Sequence, residues 1–288
     1  MLEMKSPIKL IECPRDAMQG WKHFIPTQKK IEYINQLLKV GFDTIDFGSF
    51  VSSKAIPQMA DTKEVVEKLD VEITGTNLLA IIANLRGAID AAEFEKISYL
   101  GFPFSVSPTF QMRNANSTME DSLERVKEIK NVCDKKDKEL VIYISMAFGN
   151  PYGDSYDENM VLEWIKTITE EGINIISLAD TVGLAQPSQI DALVKNVIQH
   201  FPKIDIGVHL HSTNFNWKEK IDAALENGCR RFDGALKGIG GCPMANDELV
   251  GNMNSELMIP YFKQLGFLQN INQDELLKAE EMATQIFI

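Results

Sequence analysis

The tripeptide His209-Leu210-His211 sets two imidazoles at i and i+2, at the end of the apolar run Ile206-Gly207-Val208. Alternate side chains on a β-strand share a face. Both rings can therefore address one ion, and neutral imidazole is a common ligand of divalent metals. The chain has 4 His in all, so half of them fall in this tripeptide. The other arrangement open to the pair is structural, with one ring in the core and the other packed under a loop. A carboxylate would complete a mixed O/N donor set. Asp16, beside Arg15 and just past the first apolar run, is the candidate; an isolated Arg-Asp pair is otherwise a turn cap or a local ion pair. Such a set needs no thiolate. It suits a hard or borderline cation that keeps positions open for substrate oxygens, Mg²⁺ or Mn²⁺ rather than a closed structural zinc. A second feature is Gly238-Ile239-Gly240-Gly241-Cys242-Pro243. A backbone-rich segment of this kind can close over a substrate and exclude water, and a desolvated cysteine can pass a proton. The alternative is an ordinary strand–helix connection with a buried thiol.

Elements far apart in the sequence must bring these residues together. Short Ile- and Val-rich runs recur at residues 8–13, 42–48, 71–77, 96–102, 140–147, 173–178, 205–210 and 231–236, which reads as eight strands. Helical patterns lie between them. Residues 28–40 carry apolar positions near a 3.6 period and stop before Gly41; 119–136 follow Ser117-Thr118; 186–200 open with Pro187 and Ser188; 216–227 stop before Gly228. This alternation predicts a (β/α)₈ TIM barrel, a single catalytic domain over residues 1–288 with no linker to divide it. Residues 274–288 read as an extra C-terminal helix, capped by Asn272 or Asp274, that packs on the outside of the barrel or on another subunit. A doubly wound open sheet is the other α/β solution. It would carry G-x-G-x-x-G after its first strand, where Cys13-Pro14-Arg15-Asp16 stands instead. In a closed barrel only strand 8 separates the ends of strands 1 and 7, so Asp16 can meet His209 and His211. The carboxyl ends of barrel strands carry the chemistry. They gather Asp46, Ser49 and Ser52 after strand 2, Asn77 at the end of strand 3 with Asn84 and Arg86 beyond, Asn150 after strand 5, Asp180 and Thr181 after strand 6, and Asn246 and Asn252 after strand 8.

A formal net charge of −12 argues against a nucleic-acid partner, which needs a basic face. An anionic substrate would need a local basic cluster to overcome that field, drawn from Arg15, Lys22, Lys54, Arg86, Arg113 and Lys237. No apolar run approaches the roughly 20 residues of a membrane span, and the N-terminus has neither the apolar core of a secretory signal nor an Arg/Ser-rich transit composition. The cysteines Cys13, Cys133, Cys229 and Cys242 form neither a zinc spacing nor a dense disulfide framework. A cytoplasmic protein without membrane partners is expected.

Five segments resemble the 3-hydroxy-3-methylglutaryl-CoA (HMG-CoA) lyases, a family of metal-dependent barrel enzymes related to synthases and aldolases of the same group. They are Pro14-Arg15-Asp16-Ala17-Met18-Gln19, Ser49-Phe50-Val51-Ser52-Ser53-Lys54-Ala55-Ile56-Pro57-Gln58-Met59, Ile176-Ser177-Leu178-Ala179-Asp180-Thr181-Val182-Gly183, Val208-His209-Leu210-His211 and Gly238-Ile239-Gly240-Gly241-Cys242-Pro243. The Arg-Asp and His-x-His elements are shared across the group; the Phe-Val-Ser-x-Lys run and the Gly-Gly-Cys-Pro loop are more particular to the lyases. The resemblance implies that Asp16, His209, His211 and Asn252, or Asn246 in its place, bind the cation. It further implies that Arg15 steadies the thioester enolate, that His209 or Asp16 takes the hydroxyl proton, and that Cys242 returns a proton. Gln19, Lys22, Ser49, Asn84 and Thr181 match positions near the substrate. The implied reaction is retro-Claisen cleavage of a CoA thioester to acetyl-CoA and acetoacetate, in a protein that is a homodimer by the same likeness. The chain also departs from the family. Asp46 stands where a Glu is usual, Ser212-Thr213-Asn214-Phe215 replaces Asp-Thr-Tyr-Gly, Ala17-Met18 replaces Gly-Leu, and Asn150 replaces a Cys. A condensing enzyme acting on a 2-oxo acid and a CoA-ester-binding barrel with little turnover therefore remain as alternatives.

Overall fold

The computed structural model describes residues 6–241 and 251–288. Eight parallel strands close into a ring in chain order: β1 (Lys9–Glu12), β2 (Thr44–Ser49), β3 (Asn77–Ile81), β4 (Ile97–Ser105), β5 (Glu139–Ser145), β6 (Ile175–Ala179), β7 (Asp205–His209) and β8 (Arg231–Gly234). The seam is β1 on β8, with Lys9 opposite Arg231 and Glu12 opposite Gly234. The predicted (β/α)₈ barrel is the observed architecture. The helices are α1 (Pro14–Gln19), α2 (Thr27–Leu38), α3 (Thr62–Glu67), α4 (Leu85–Ala92), α5 (Pro108–Ala115), α6 (Met119–Lys135), α7 (Glu158–Glu170), α8 (Pro187–His200), α9 (Trp217–Glu226), α10 (Ser255–Gln264) and α11 (Gln273–Ile286).

Local chemistry explains the element ends. Thr118 and Asp121 form a reciprocal capping box at the start of α6. Gly41 turns the chain after α2 at φ +97, a conformation cheap only for glycine. Outward-facing aliphatic side chains of the strands merge with the helices into the main core. Inside the ring, Leu79, Val141, Tyr143 and Ile175 form a separate cluster with Ile81 and Tyr99. Below the site, Arg231 is fully buried and lies against the Tyr99 ring at 5.6 Å. Its methylenes occupy the space over Gly207, where an added Cβ would sit 2.9 Å from its Cδ.

The extra C-terminal helix is α11. Asn272 caps it, accepting from the Asp274 and Glu275 amides. It packs on α2, where Gln36 Nε2 donates to the Glu275 carbonyl and carboxylate at 2.9 and 2.7 Å. Phe287 meets Trp21 edge-on at 5.3 Å.

Four strand expectations need correction: β4 runs on to Ser105 rather than 102, β5 ends at Ser145 rather than 147, strand 3 lies elsewhere and strand 8 ends early. Residues 71–77 are not strand 3. Val71–Ile73 form a 3-10 turn and Gly75 follows at φ +66, so the alternation of Val71 and Ile73 is that of a turn. The strand is the run Asn77-Leu78-Leu79-Ala80-Ile81, largely buried on both faces and hence without alternation. Asn77 consequently opens β3, in register with Thr44, at the end of the barrel away from the site. Strand 8 ends at Gly234 rather than 236, because Leu236–Gly238 turn as a 3-10 segment with Lys237 at φ +66.

Candidate metal centre and active site

His209 ends β7 and His211 follows two residues on, their ring centroids 5.4 Å apart. Asp16 comes from α1, a short helix begun by Pro14 immediately after β1. One ligand atom from each of Asp16, His209 and His211 lies within 4.8 Å of the others, as expected from the closure of the ring. Asn252 joins them from the other side of the seam. Its Nδ2 donates to Asp16 Oδ2 at 2.7 Å and to the Ile239 carbonyl at 3.0 Å, and its backbone bridges His211.

The electrostatics separate the two imidazoles. His209 Nδ1 pairs with Asp233 Oδ2 at 3.1 Å, which leaves its other ring nitrogen for the cluster. Burial lowers its pKa, but the hydrogen bond and charge of Asp233, with Asp16 beside it, raise it net. Burial and the neighbouring His209 push His211 down to about 4, so it is a neutral imidazole. Neither of its nitrogens makes a regular hydrogen bond; the Asp180 backbone offers only a weak one. Burial alone would raise Asp16, yet Arg15, His209 and Asn252 outweigh it and keep the carboxylate ionised. A buried, unspent imidazole beside an ionised carboxylate and a second oriented imidazole is a donor set that fits a divalent cation. A second triad, Cys13, His209 and Asp233, is equally close. Burial holds the Cys13 thiol well above its ordinary pKa, and Asp233 already serves His209.

Arg15 joins the two halves of the site. Its Nη1 donates to Asp16 Oδ1 at 2.8 Å and its Nε reaches both Asp46 oxygens at 3.2 and 3.0 Å. The β2–β3 register shifts between Asp46 and Gly48, a local irregularity of the kind that re-aims side chains beside active sites. Two carboxylates share one guanidinium, and burial pushes Asp46 up to about 6. Gln19 Nε2 donates to Asp16 Oδ1 at 2.7 Å.

The cluster opens on a cavity of about 270 Å³. Arg15, Asp16, Gln19, Thr181, His209 and His211 line it together with apolar groups that include Val51, Ile56, Ile81 and Phe110. Other expected residues lie elsewhere. Lys22 is exposed and outside the lining. Ser49 is buried, its Oγ accepting from the Val51 amide. Asn84 caps α4 by accepting from the Gly87 amide. Asn150 organises its own loop through the Tyr152 and Asp154 amides. Among the basic candidates, Arg15 alone lines the cavity; Lys237 pairs with Glu256 and Arg113 lies over Tyr152. Cys242 and Asn246 fall outside the described residues.

Three contributors escaped the sequence reading. Asp233 orients His209. Tyr143 lines the cavity and meets His209 edge-on. Lys220 on α9, fully buried, donates to Asp180 Oδ2 at 2.9 Å and to the His211 carbonyl at 2.7 Å. Asp233 was legible in principle, since Arg231 and Asp233 alternate on one strand face; Lys220 gave no such signal.

A closed parallel barrel with an Asp/His/His cluster at the carboxyl ends of β1 and β7 defines a barrel enzyme with a metal-competent centre. Residues 8–283 match the family model described as HMGL-like. The chain is 32% identical to the hydroxymethylglutaryl-CoA lyase YngG of Bacillus subtilis, over 92% of this chain and 88% of that protein. It is 33% identical to the human cytoplasmic 3-hydroxy-3-methylglutaryl-CoA lyase, over 94% and 73%. An HMG-CoA lyase of Acinetobacter baumannii, solved with coenzyme A and 3-methylmalate, superposes with a TM-score of 0.90 at 31% identity, covering 99% of this chain and 93% of the other. The chain belongs to the HMGL-like family.

Proposed function

We infer that this protein is a carbon–carbon lyase that cleaves HMG-CoA, or a close 3-hydroxyacyl-CoA, to acetyl-CoA and acetoacetate. The observation that carries this reading is the convergence of Asp16, His209 and His211, with Asn252 bonded to Asp16, at the mouth of a largely apolar cavity. Relatives similar over almost the whole barrel are HMG-CoA lyases, which supports the same substrate class.

Asp16, His209, His211 and the Asn252 side chain would hold the cation, Mg²⁺ or Mn²⁺ by the hardness of the donors. When bound, a cation here supplies Lewis-acid polarisation of the substrate's hydroxyl and carboxylate oxygens. The chain's own residues do the rest. Asp233 fixes the tautomer and plane of His209. Asp16, whose carboxylate keeps lone pairs beyond the one given to the cation, takes the proton of the tertiary hydroxyl, while His209, with one ring nitrogen on Asp233 and the other on the cluster, holds the geometry. The bond between the hydroxyl-bearing carbon and the carbon α to the thioester breaks, and its electron pair passes to the thioester enolate. Arg15, held cationic between Asp16 and Asp46, stabilises that enolate oxygen. Cys242, by its position in the Gly-Gly-Cys-Pro motif, returns a proton to carbon. Gln19 and Thr181 border the acyl group. We further propose that the whole chain acts as one catalytic domain in the cytoplasm. Among the described residues no helix is long and apolar enough to cross a membrane, and Cys13, Cys133 and Cys229 are free and buried.

Incubation with HMG-CoA and Mg²⁺ or Mn²⁺ should yield acetyl-CoA and acetoacetate, and excess chelator should stop it. Inert HMG-CoA, together with thiol release from acetyl-CoA and a 2-oxo acid, would replace this reading with that of a condensing enzyme.

A further inference from the structure

Glu12, the last residue of β1, is completely buried and plays no part in the chemistry above. Its Oε1 accepts from the Leu236 amide at 2.7 Å, and its Oε2 accepts from Ser255 Oγ at 2.5 Å. Among the described residues the groups that act on it are Ser255, Leu236 and the neighbouring carboxylate of Glu256, and no cation is one of them. A buried carboxyl with no countercharge is costly, so its two hydrogen bonds are what it contributes.

Those bonds reach two different segments. Leu236 begins the stretch after β8 that leads to Ile239, Gly240 and Gly241. Ser255 follows the stretch that carries Asn252. The two stretches lie side by side: the Ala235 amide donates to the Met253 carbonyl at 2.9 Å, and the Ser255 amide donates to Ala235 at 3.1 Å. An added Cβ on Gly251 would sit 2.4 Å from the Gly238 carbonyl oxygen. Farther up, both stretches converge on one carboxylate, with the Gly241 amide at 3.4 Å and Asn252 Nδ2 at 2.7 Å from Asp16 Oδ2. Glu12 and Asp16 flank the same Cys13-Pro14-Arg15 step, so the strand that presents Asp16 also grips the base of both stretches that meet it.

We propose that Glu12 is a positioning residue that clamps the 236–241 and 251–255 segments to β1 and so sets Asn252 and the Gly241 amide against Asp16. The proposal rests on the reading of Asn252 as a member of the cation-binding set. The role requires an acceptor for the Leu236 amide and a hydrogen-bonding partner for the Ser255 hydroxyl, not a charge, so glutamine can fill it, its Oε1 accepting from the amide and its Nε2 donating to Ser255 Oγ.

The test uses the full-length protein and Mn²⁺ as probe, with affinity read by electron paramagnetic resonance and amide hydrogen exchange read over residues 236–241 and 251–255. Glu12→Ala should weaken Mn²⁺ binding by about tenfold, the low end for loss of an outer partner, and should raise exchange in both segments. Ser255→Ala should shift both readouts the same way by less, and it serves if the Glu12→Ala chain fails to fold. Glu12→Gln should bind within about twofold of the parent. Leu276→Ala, in α11 and remote from the centre, controls for loss of stability alone and should leave Mn²⁺ affinity unchanged. Parental affinity and protection in Glu12→Ala or Ser255→Ala would overturn the clamp, as would a Glu12→Gln variant as impaired as the alanine. If the parent bound no Mn²⁺, the cation reading would fall separately, and exchange alone would decide the clamp: unchanged protection overturns it and increased exchange in both segments upholds it.

Discussion

Replacing Glu12 by glutamine also has a consequence for stability that can be worked from the structure. Burial raises the Glu12 pKa from 4.5 to about 8, against the opposing hydrogen bonds from Ser255 and Leu236. Between those values the folded chain keeps a proton that the unfolded chain has released. The stability associated with this group is therefore complete below pH 4.5 and declines as pH rises through about 8. At about 1.4 kcal/mol per pH unit, the loss amounts to roughly 3 kcal/mol at pH 7 and on the order of 5 kcal/mol above pH 8. Glutamine has no proton to lose, so Glu12→Gln should gain on the parent by that amount across the interval, whatever constant offset its amide introduces. Urea unfolding of both chains at pH 5, 6.5, 8 and 9 gives the difference directly, and the titrating groups that do not interact with Glu12 cancel in it. A difference that stays flat, or one that moves against glutamine as pH rises, would mean that Glu12 is ionised and compensated in the folded state, and the reasoning would fail.

Removing a ligand should be far more damaging to turnover than to folding. Asp16→Ala and His209→Ala should each cut kcat by more than the ~10–100-fold typical of losing an outer partner, with far-ultraviolet circular dichroism unchanged; near-parental turnover in either would displace the centre. Asp233→Asn should fall within that ~10–100-fold range, since it keeps the shape but loses the charge that holds His209. Lys220→Met leaves Asp180 buried without its cation, at a cost of about 3–5 kcal/mol, readable as a drop in urea midpoint. Gly240 sits at φ +127, and an added Cβ would lie 2.1 Å from Asn252 Nδ2. Gly240→Ala should therefore weaken Mn²⁺ binding in a titration while leaving the barrel's circular dichroism intact.

Much of the barrel was legible because its strands are short apolar runs and its helices carry a 3.6 period. That regularity was enough to deduce that Asp16 meets the histidines. Strand 3 was misread because Val71 and Ile73 alternate like a half-exposed strand. The true strand, Asn77–Ile81, is rich in Leu and Ala and covered on both sides, so neither its period nor its propensity marked it. The one-strand displacement carried Asn77 to the wrong end of the barrel. In the site, residue type was a good guide where chemistry demands it, as for His209 and His211. It failed for Lys220, which is spent on Asp180 and the His211 carbonyl, and for Glu12, whose partners Leu236 and Ser255 only closure of the ring brings near. Lys22 and Asn84 show the converse: a matching motif position does not say where a side chain ends up, and here one is exposed and the other is spent on a helix cap.

Asp16 and Asn252 are separated by 236 positions yet share a hydrogen bond. The carboxylate therefore leaves the ribosome 236 residues ahead of its amide partner. Seven strands can pair with their sequence neighbours during synthesis, but the centre has no complete set of donors until the last strand seals against the first. Such long-range closure is slow to form, and a chain cut short before residue 252 would be a folded or half-folded scaffold without a working pocket.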